Sequence, residues 1–316
     1  MSTGATTLSN PDRAAAAVAQ TASSAGMQAK LADYAELAKP RITVLELVTV
    51  VAAMQLAVAA TGASWEPASL VAMMLGTTLL AASANTLNQY LEVRHDRVMK
   101  RTADRPLPTG RMQRGEAAAF GIASVAVGVT LLTFGVNGVT AGLGLLCWFL
   151  YVAVYTPMKR VSPWNTFVGA VSGAIPIVMG WTAGGGPLDL AAAGLFAVLF
   201  CWQYPHFMAI AWLCREDYAA AGYKMTTVVE PTGRRAGAHA MVGAALLAPA
   251  SLLPAIALSS TGAVFYACAV LVLAAALFYV AARFYQNRCD ATARKLLRGS
   301  LIYLPVWMLL LVLCLP

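Results

Sequence analysis

Long apolar runs without charge alternate along the chain with short turns and basic polar segments. Residues 67–91, 161–188 and 190–214 contain no Asp, Glu, Lys or Arg. Residues 117–158 and 236–282 are also uncharged, and each is about twice the length one helix needs to cross ~30 Å of hydrocarbon. Turn formers break both near the middle: Gly135-Val136-Asn137-Gly138 in the first, Ser259-Ser260-Thr261-Gly262 in the second. Backbone in lipid must satisfy its own hydrogen bonds, so each long run reads as a helical hairpin. The pattern predicts an all-α polytopic membrane bundle with spans near 43–62, 67–91, 117–134, 139–157, 164–183, 189–213, 238–258, 263–282 and 299–315. These nine helices are expected to surround a central cavity open to the cytoplasmic face.

Charge sets the topology. All 22 Lys and Arg fall before the first span or in every second gap after it; the gaps at 63–66, 135–138, 184–188 and 259–262 hold none. The positive-inside rule then puts the N-terminus in the cytoplasm and Pro316 outside, in a cell inner membrane. The net charge of +8 follows from this topology, so nucleic acid is excluded as a partner and the lipid bilayer is the expected surroundings. Charged residues make up 11% of the chain against about a quarter in soluble proteins, and one membrane domain, 31–316, uses the chain. Residues 1–30, rich in Ala, Ser and Thr, read as a disordered cytoplasmic tail. That tail lacks an apolar signal-peptide core, and Arg13 is its only base before Lys30. The six Cys show no metal-binding spacing.

The outer turns are too short to hold a site, which places any chemistry at the basic face. Asn88, Glu92 and Asp96 follow at i, i+4 and i+8, one face of the second helix, with Asn85 a turn deeper. A hard cation such as Mg²⁺ takes carboxylate and amide oxygens together with substrate phosphates. Any one of these acids alone reads as a solvated residue at a helix exit. Four polar residues at helical spacing, with the buried end first, favour a site. Bases follow at once: Arg97, Lys100, Arg101 and Arg105, with Lys159 and Arg160 in the turn after span four. Such interleaving suits a metal–diphosphate clamp, while about half of these bases suffice as topology signals or lipid contacts. Gln203, His206 and Asp217 are expected along one face of the sixth span, since eleven residues make nearly three turns. His206, among Trp202, Tyr204, Phe207 and Trp212, reads equally as a packing residue. Glu46 is the remaining acid inside a span.

The run Asn88-x-x-x-Glu92-x-x-x-Asp96-Arg97-x-Met99-x-Arg101-Thr102-x-x-Arg105-Pro106-Leu107 resembles the first polar motif of protohaem IX farnesyltransferases, the haem-directed branch of the UbiA superfamily of intramembrane prenyltransferases. Four more stretches look like the same branch: Lys39-Pro40-Arg41, Tyr155-Thr156 with Lys159-Arg160, Gly173-Ala174-Ile175-Pro176 with Gly180-Trp181, and Trp202 to Phe207 with Arg215 to Tyr218. The resemblance implies transfer of a farnesyl group from farnesyl diphosphate to the haem B vinyl group, with water addition to give haem O. A haem O-processing enzyme or haem-copper oxidase would take the product. It implies Mg²⁺ held by Asn88, Glu92, Asp96 and Asp217, and diphosphate held by Arg97, Lys100, Arg101, Arg105, Lys159 and Arg160. Haem-acceptor candidates are His206, Gln203, Trp202, Tyr155, Asn165 and Glu46. Glu92 stands where many members have Asp, and the second motif lacks their paired Asp spacing.

Three rivals remain at this level. Another UbiA-type enzyme would use a quinone-precursor or chlorin acceptor. A secondary transporter also places acids in its spans, though usually near the midplane at broken helices. A non-catalytic assembly protein would tolerate loss of both Glu92 and Asp96.

Overall fold

A computed structural model of the chain describes residues 26–64, 66–258 and 260–314. These residues form helices and connecting turns, with nine helices long and apolar enough to cross a membrane: α1 (Pro40–Thr61), α2 (Pro67–Asp96), α3 (Arg114–Gly135), α4 (Gly138–Met158), α5 (Asn165–Ala183), α6 (Leu190–Leu213), α7 (Arg234–Ala257), α8 (Gly262–Gln286) and α9 (Asp290–Leu313). The up-and-down order puts all the basic connections at one end. Every span expected from the sequence is present, but several run further at that basic end. The second helix continues to Asp96, and the ninth begins at Asp290 rather than near 299. The tail expected at 1–30 lies outside the described residues up to 25; residues 26–38 are helical. Ser259 of the α7–α8 turn and Pro316 also lie outside them.

Helix α5 is the most enclosed span and packs on α1, α4 and α6. Its small residues allow this. A β-carbon at Gly180 would collide with the Val50 carbonyl of α1, and one at Gly173 with the Gln203 side chain of α6. Helices α2 and α3 form one extensive pair, α6 and α7 another, and α9 packs on α6 and α8 and reaches α1. Polar side chains inside the bundle find partners across helices, as membrane packing requires. Ser83 donates to the Gly121 carbonyl at 2.7 Å, and Trp307 Nε1 to the Tyr266 hydroxyl at 2.8 Å. On the outer surface Phe134, Val272 and Leu313 are exposed, as side chains that meet lipid tails are.

This packing gives a stability prediction. Gly180→Ala is expected to destabilise the detergent-purified protein by about 1–3 kcal/mol, the usual cost of forcing atoms into a filled core. Gly142→Ala, with open space around its β-carbon position, should be neutral or slightly stabilising. Equal melting temperatures for the two variants would contradict the close α1–α5 contact.

The basic end is ordered by specific ties. Arg111 in the α2–α3 loop pairs with Asp33 at 3.2 Å and Glu36 at 2.9 Å, docking the 26–38 helix. Met99 of the same loop is buried with Tyr223 and Met225 of the α6–α7 loop. The Lys224 backbone N–H donates to the Lys159 carbonyl at 2.7 Å, and Thr227 Oγ1 to the Ala211 carbonyl at 2.7 Å. Both long loops are thereby folded over the helix ends.

Candidate active site

The end of α2 carries its acids into a closed environment. Asn88, Glu92 and Asp96 are all buried on one face, as their spacing predicts. Each meets a different partner. Asn88 Nδ2 donates to Thr156 Oγ1 at 3.0 Å. Glu92 pairs with Lys159 at 3.0 Å, and Asp96 with Arg105 at 2.7 Å. Thr102 Oγ1 donates to the Asp96 carbonyl at 3.0 Å and turns the chain back at the helix end.

Lys159 and Thr156 reach α2 because α4 widens before it ends. Leu150–Tyr155 is a π-helical stretch. Pro157 explains it: proline has no N–H for an i−4 bond, and its ring collides with the carbonyl four residues back. A wider turn avoids both problems, and Thr156 sends its N–H and its hydroxyl to the Tyr151 carbonyl instead. Such π segments recur at functional sites. Lys159 then lies over the Tyr155 ring, 4.6 Å from its centroid. Burial works against charge on Lys159, but the Glu92 carboxylate together with the Tyr151 and Tyr218 hydroxyls outweighs it and holds its pKa above the ordinary lysine value.

Several buried polar atoms here have no hydrogen-bond partner: Glu92 Oε1, Asp96 Oδ1, Gln89 Oε1, Asn165 Oδ1 and the Tyr223 hydroxyl. Glu92 Oε1 lies at ion-pair distance from Lys159 without hydrogen-bond alignment. Orphaned buried oxygens carry a desolvation cost that a cation or donor-rich ligand would relieve. Among the described residues no three His, Cys, Asp or Glu side chains gather as a metal cluster. The acid set is therefore two carboxylates, with the Asn88 amide beside them.

Some expected site residues fall elsewhere. Asp217 is not gathered with Glu92 and Asp96, because α6 ends at Leu213 and Cys214 breaks the helix. Asp217 sits half-buried in a separate short helix, Arg215–Ala220, so the shared face expected from eleven-residue spacing does not form. Gln203 points to α5, donating to the Ala170 carbonyl at 2.9 Å. Trp202 and His206 turn to α9: Trp202 Nε1 donates to the Ser300 carbonyl at 2.7 Å, and His206 Nδ1 lies 3.0 Å from Ser300 Oγ. Their rings stack at 4.8 Å. Phe207 also lies against His206, 5.7 Å between ring centroids, while Tyr204 turns away and packs at Gly243 of α7. Asn165 is fully buried and ties the α4–α5 turn together through the Ser162 carbonyl at 2.7 Å. Tyr155 lies beneath Lys159, and Glu46 makes no side-chain hydrogen bond or ion pair among the described residues.

The six bases also separate. Arg105 and Lys159 hold the acids. Arg101 is exposed, and its charge acts on the Tyr218 hydroxyl, whose pKa burial pushes up to about 12. Arg97 Nε braces the Pro108 carbonyl at 3.3 Å, and Lys100 is exposed. Arg160 lines a different concavity with Arg94 and Arg114. Two residues join the site that spacing did not bring out. Tyr223 is buried beside Glu92, and burial followed by the Glu92 charge raises its hydroxyl pKa. Lys39 caps α1 with left-handed backbone, φ 51°. Burial and the charges of Arg105 and Lys159 lower its pKa to about 7. The pair Lys39-Pro40 is visible in the sequence, but its meeting with α2 is not.

The nine membrane-length helices among the described residues, with paired acids and bases at one end, define a class of helical membrane protein with a polar site at one end of the bundle. Residues 47–310 match the model of the UbiA prenyltransferase family, and the chain belongs to that family. Among curated proteins it is similar to the protoheme IX farnesyltransferase of Rhodopirellula baltica, 45% identical over 286 residues, covering 88% of this chain and 98% of that protein. Its fold is similar to that of a digeranylgeranylglyceryl phosphate synthase, TM-score 0.74 at 16% identity, over 90% of this chain and 98% of the other. It is also similar to a UbiA homolog from Archaeoglobus fulgidus bound to GPP and Mg²⁺, TM-score 0.66 at 15% identity, over 89% and 99% of the two chains.

Proposed function

We propose that this multi-pass membrane protein transfers the farnesyl group of farnesyl diphosphate to a vinyl carbon of haem B and so forms haem O. The observation that carries this reading is the buried row Asn88, Glu92, Asp96 with its bases, in a chain so similar to a protoheme IX farnesyltransferase. In the reaction the C1–O bond of farnesyl diphosphate breaks and diphosphate leaves. C1 bonds to the vinyl carbon, hydroxide from water adds to the neighbouring carbon, and one proton is released.

The donor set fits Mg²⁺: two carboxylates with orphaned oxygens, and an amide whose nitrogen is already engaged by Thr156. Asn88, Glu92 and Asp96 would hold the ion, while Asp217 stands apart in its own short helix. When bound, Mg²⁺ supplies Lewis-acid stabilisation of the diphosphate leaving group. The chain's own residues do the rest. Lys159 and Arg105 neutralise the acids, and the same bases would turn to the phosphate oxygens of the substrate. Arg101 and Lys39 add positive charge at the same end. The folded loops and the surrounding helices keep bulk water from the reacting carbon.

Feeding the purified protein haem B, farnesyl diphosphate and Mg²⁺ should yield haem O by mass. Prenylation of a quinone precursor instead, with haem B untouched, would overturn the acceptor assignment. The basic end is proposed to face the cytoplasm of the cell inner membrane, with the N-terminus on that side. Thr109→Cys, exposed in the α2–α3 loop, is then expected to resist an impermeant thiol reagent in intact cells and to react in inverted vesicles. Labelling in intact cells above the unsubstituted protein would reverse this orientation.

A further inference from the structure

His95 stacks on Tyr223 at 5.2 Å between ring centroids, and Tyr223 in turn lies beside Glu92. His95 also lines a concavity of about 260 Å³ whose lining does not include Glu92 or Asp96. Three arginines from three elements converge on it: Arg94 in the last turn of α2, Arg114 at the first position of α3, and Arg160 after α4. Among the described residues none of the three forms an ion pair. Arg114 lies over the Tyr90 ring at 4.7 Å. The nearby Glu116 is already committed to Lys30 at 2.6 Å and Tyr34 at 2.9 Å. His95 Nδ1 is buried without a hydrogen-bond partner.

Topology alone does not account for this arrangement. The positive-inside rule asks for bases at this end of the bundle, not for three of them around one hollow. Like charges brought together repel, and Arg114 sits where the α3 dipole disfavours a cation. An anion in the hollow would relieve both costs. Guanidinium groups are the side chains best shaped for phosphate oxygens. Leu91, which lines the hollow, is exposed, and its apolar surface offers a place for an acyl chain.

We propose that this concavity is a second anion site, separate from Glu92 and Asp96. Its ligand is a phosphate group at head-group depth, carried either by an acidic phospholipid or by free diphosphate. Basic pockets between membrane helices are a known way to hold acidic head groups.

The test is native mass spectrometry of the full-length protein released from detergent. The probes are phosphatidylglycerol, phosphatidylcholine and inorganic diphosphate, each added separately. The pocket variant is Arg94→Gln/Arg114→Gln/Arg160→Gln. The control is Arg294→Gln/Lys295→Gln/Arg298→Gln, three bases at the same end outside the hollow. Wild type and control are expected to retain phosphatidylglycerol over phosphatidylcholine. The pocket variant should lose that retention by about fivefold per arginine removed. A fall in phosphatidylglycerol assigns the lipid source. A fall only in the number of bound diphosphates assigns the free anion. Unchanged binding of both probes, or an equal loss in the control, overturns the proposal. Should the triple variant fail to fold, Arg114→Gln and Arg160→Gln singly carry the same test at about fivefold each.

Discussion

Asp96→Asn is expected to lower haem O formation by about 10²–10³-fold, the scale of losing one preorganised electrostatic group at a reacting centre. Asp96 is buried, pairs with Arg105 at 2.7 Å, and keeps a second carboxylate oxygen free of any hydrogen bond. That free oxygen is the one a divalent cation would use. Asparagine is the informative substitution because it preserves volume and leaves an acceptor for Arg105. Alanine would leave the Arg105 guanidinium without its buried partner, at about 3–5 kcal/mol, and so mix folding with chemistry. The measurement is turnover across a Mg²⁺ titration, with the thermal midpoint of each protein recorded alongside. Wild-type turnover of a folded Asp96→Asn protein at ordinary Mg²⁺ would remove Asp96 from the metal site.

Affinity for farnesyl diphosphate should fall as pH rises above about 7, by up to tenfold per unit. The cause is Lys39, whose pKa drops from 10.5 to about 7 through burial and then through repulsion by Arg105 and Lys159. The sign follows from proton counts. Between about 7 and 10.5 the unfolded chain carries a proton on Lys39 that the folded one lacks, so this group makes stability rise with pH across that window. Diphosphate reverses the local field and favours the charged ammonium, so binding above pH 7 takes up a proton. The left-handed backbone at Lys39, an expense of about 1–3 kcal/mol for a residue other than glycine, is the kind of strain that functional positions keep. Calorimetry in buffers of differing ionisation enthalpy would read the proton directly. Lys39→Met should flatten the pH dependence; the same slope in that variant would clear Lys39 of the role.

Much of this molecule is written locally. The spans, their alternation with basic gaps, and the row Asn88, Glu92, Asp96 all follow from short-range periodicity and the cost of polar groups in lipid. That cost is why the class and fold were legible, and why the first motif could be placed on one helical face. The resemblance of the same motif to one branch of a family supplied the reaction.

Other features depended on where helices meet. A run from Gln203 to Asp217 looks like one face of one helix, yet Cys214 ends that helix and Asp217 goes its own way. Trp202 and His206 look like a surface for a flat ligand, but they are taken up by Ser300 of α9. Lys159 and Arg160 are neighbours in sequence and serve different places, one at Glu92 and the other in the arginine hollow. Local order along the chain dictates which stretches are helical, because apolar runs of about twenty residues satisfy their backbone in hydrocarbon as helices, and which end is polar. Tertiary structure alone decided which base meets which acid. The Glu92–Lys159 pairing joins residues 67 positions apart and follows the π turn that precedes Pro157. Periodicity reports the face a residue occupies, while its partner is fixed by the packing of another helix.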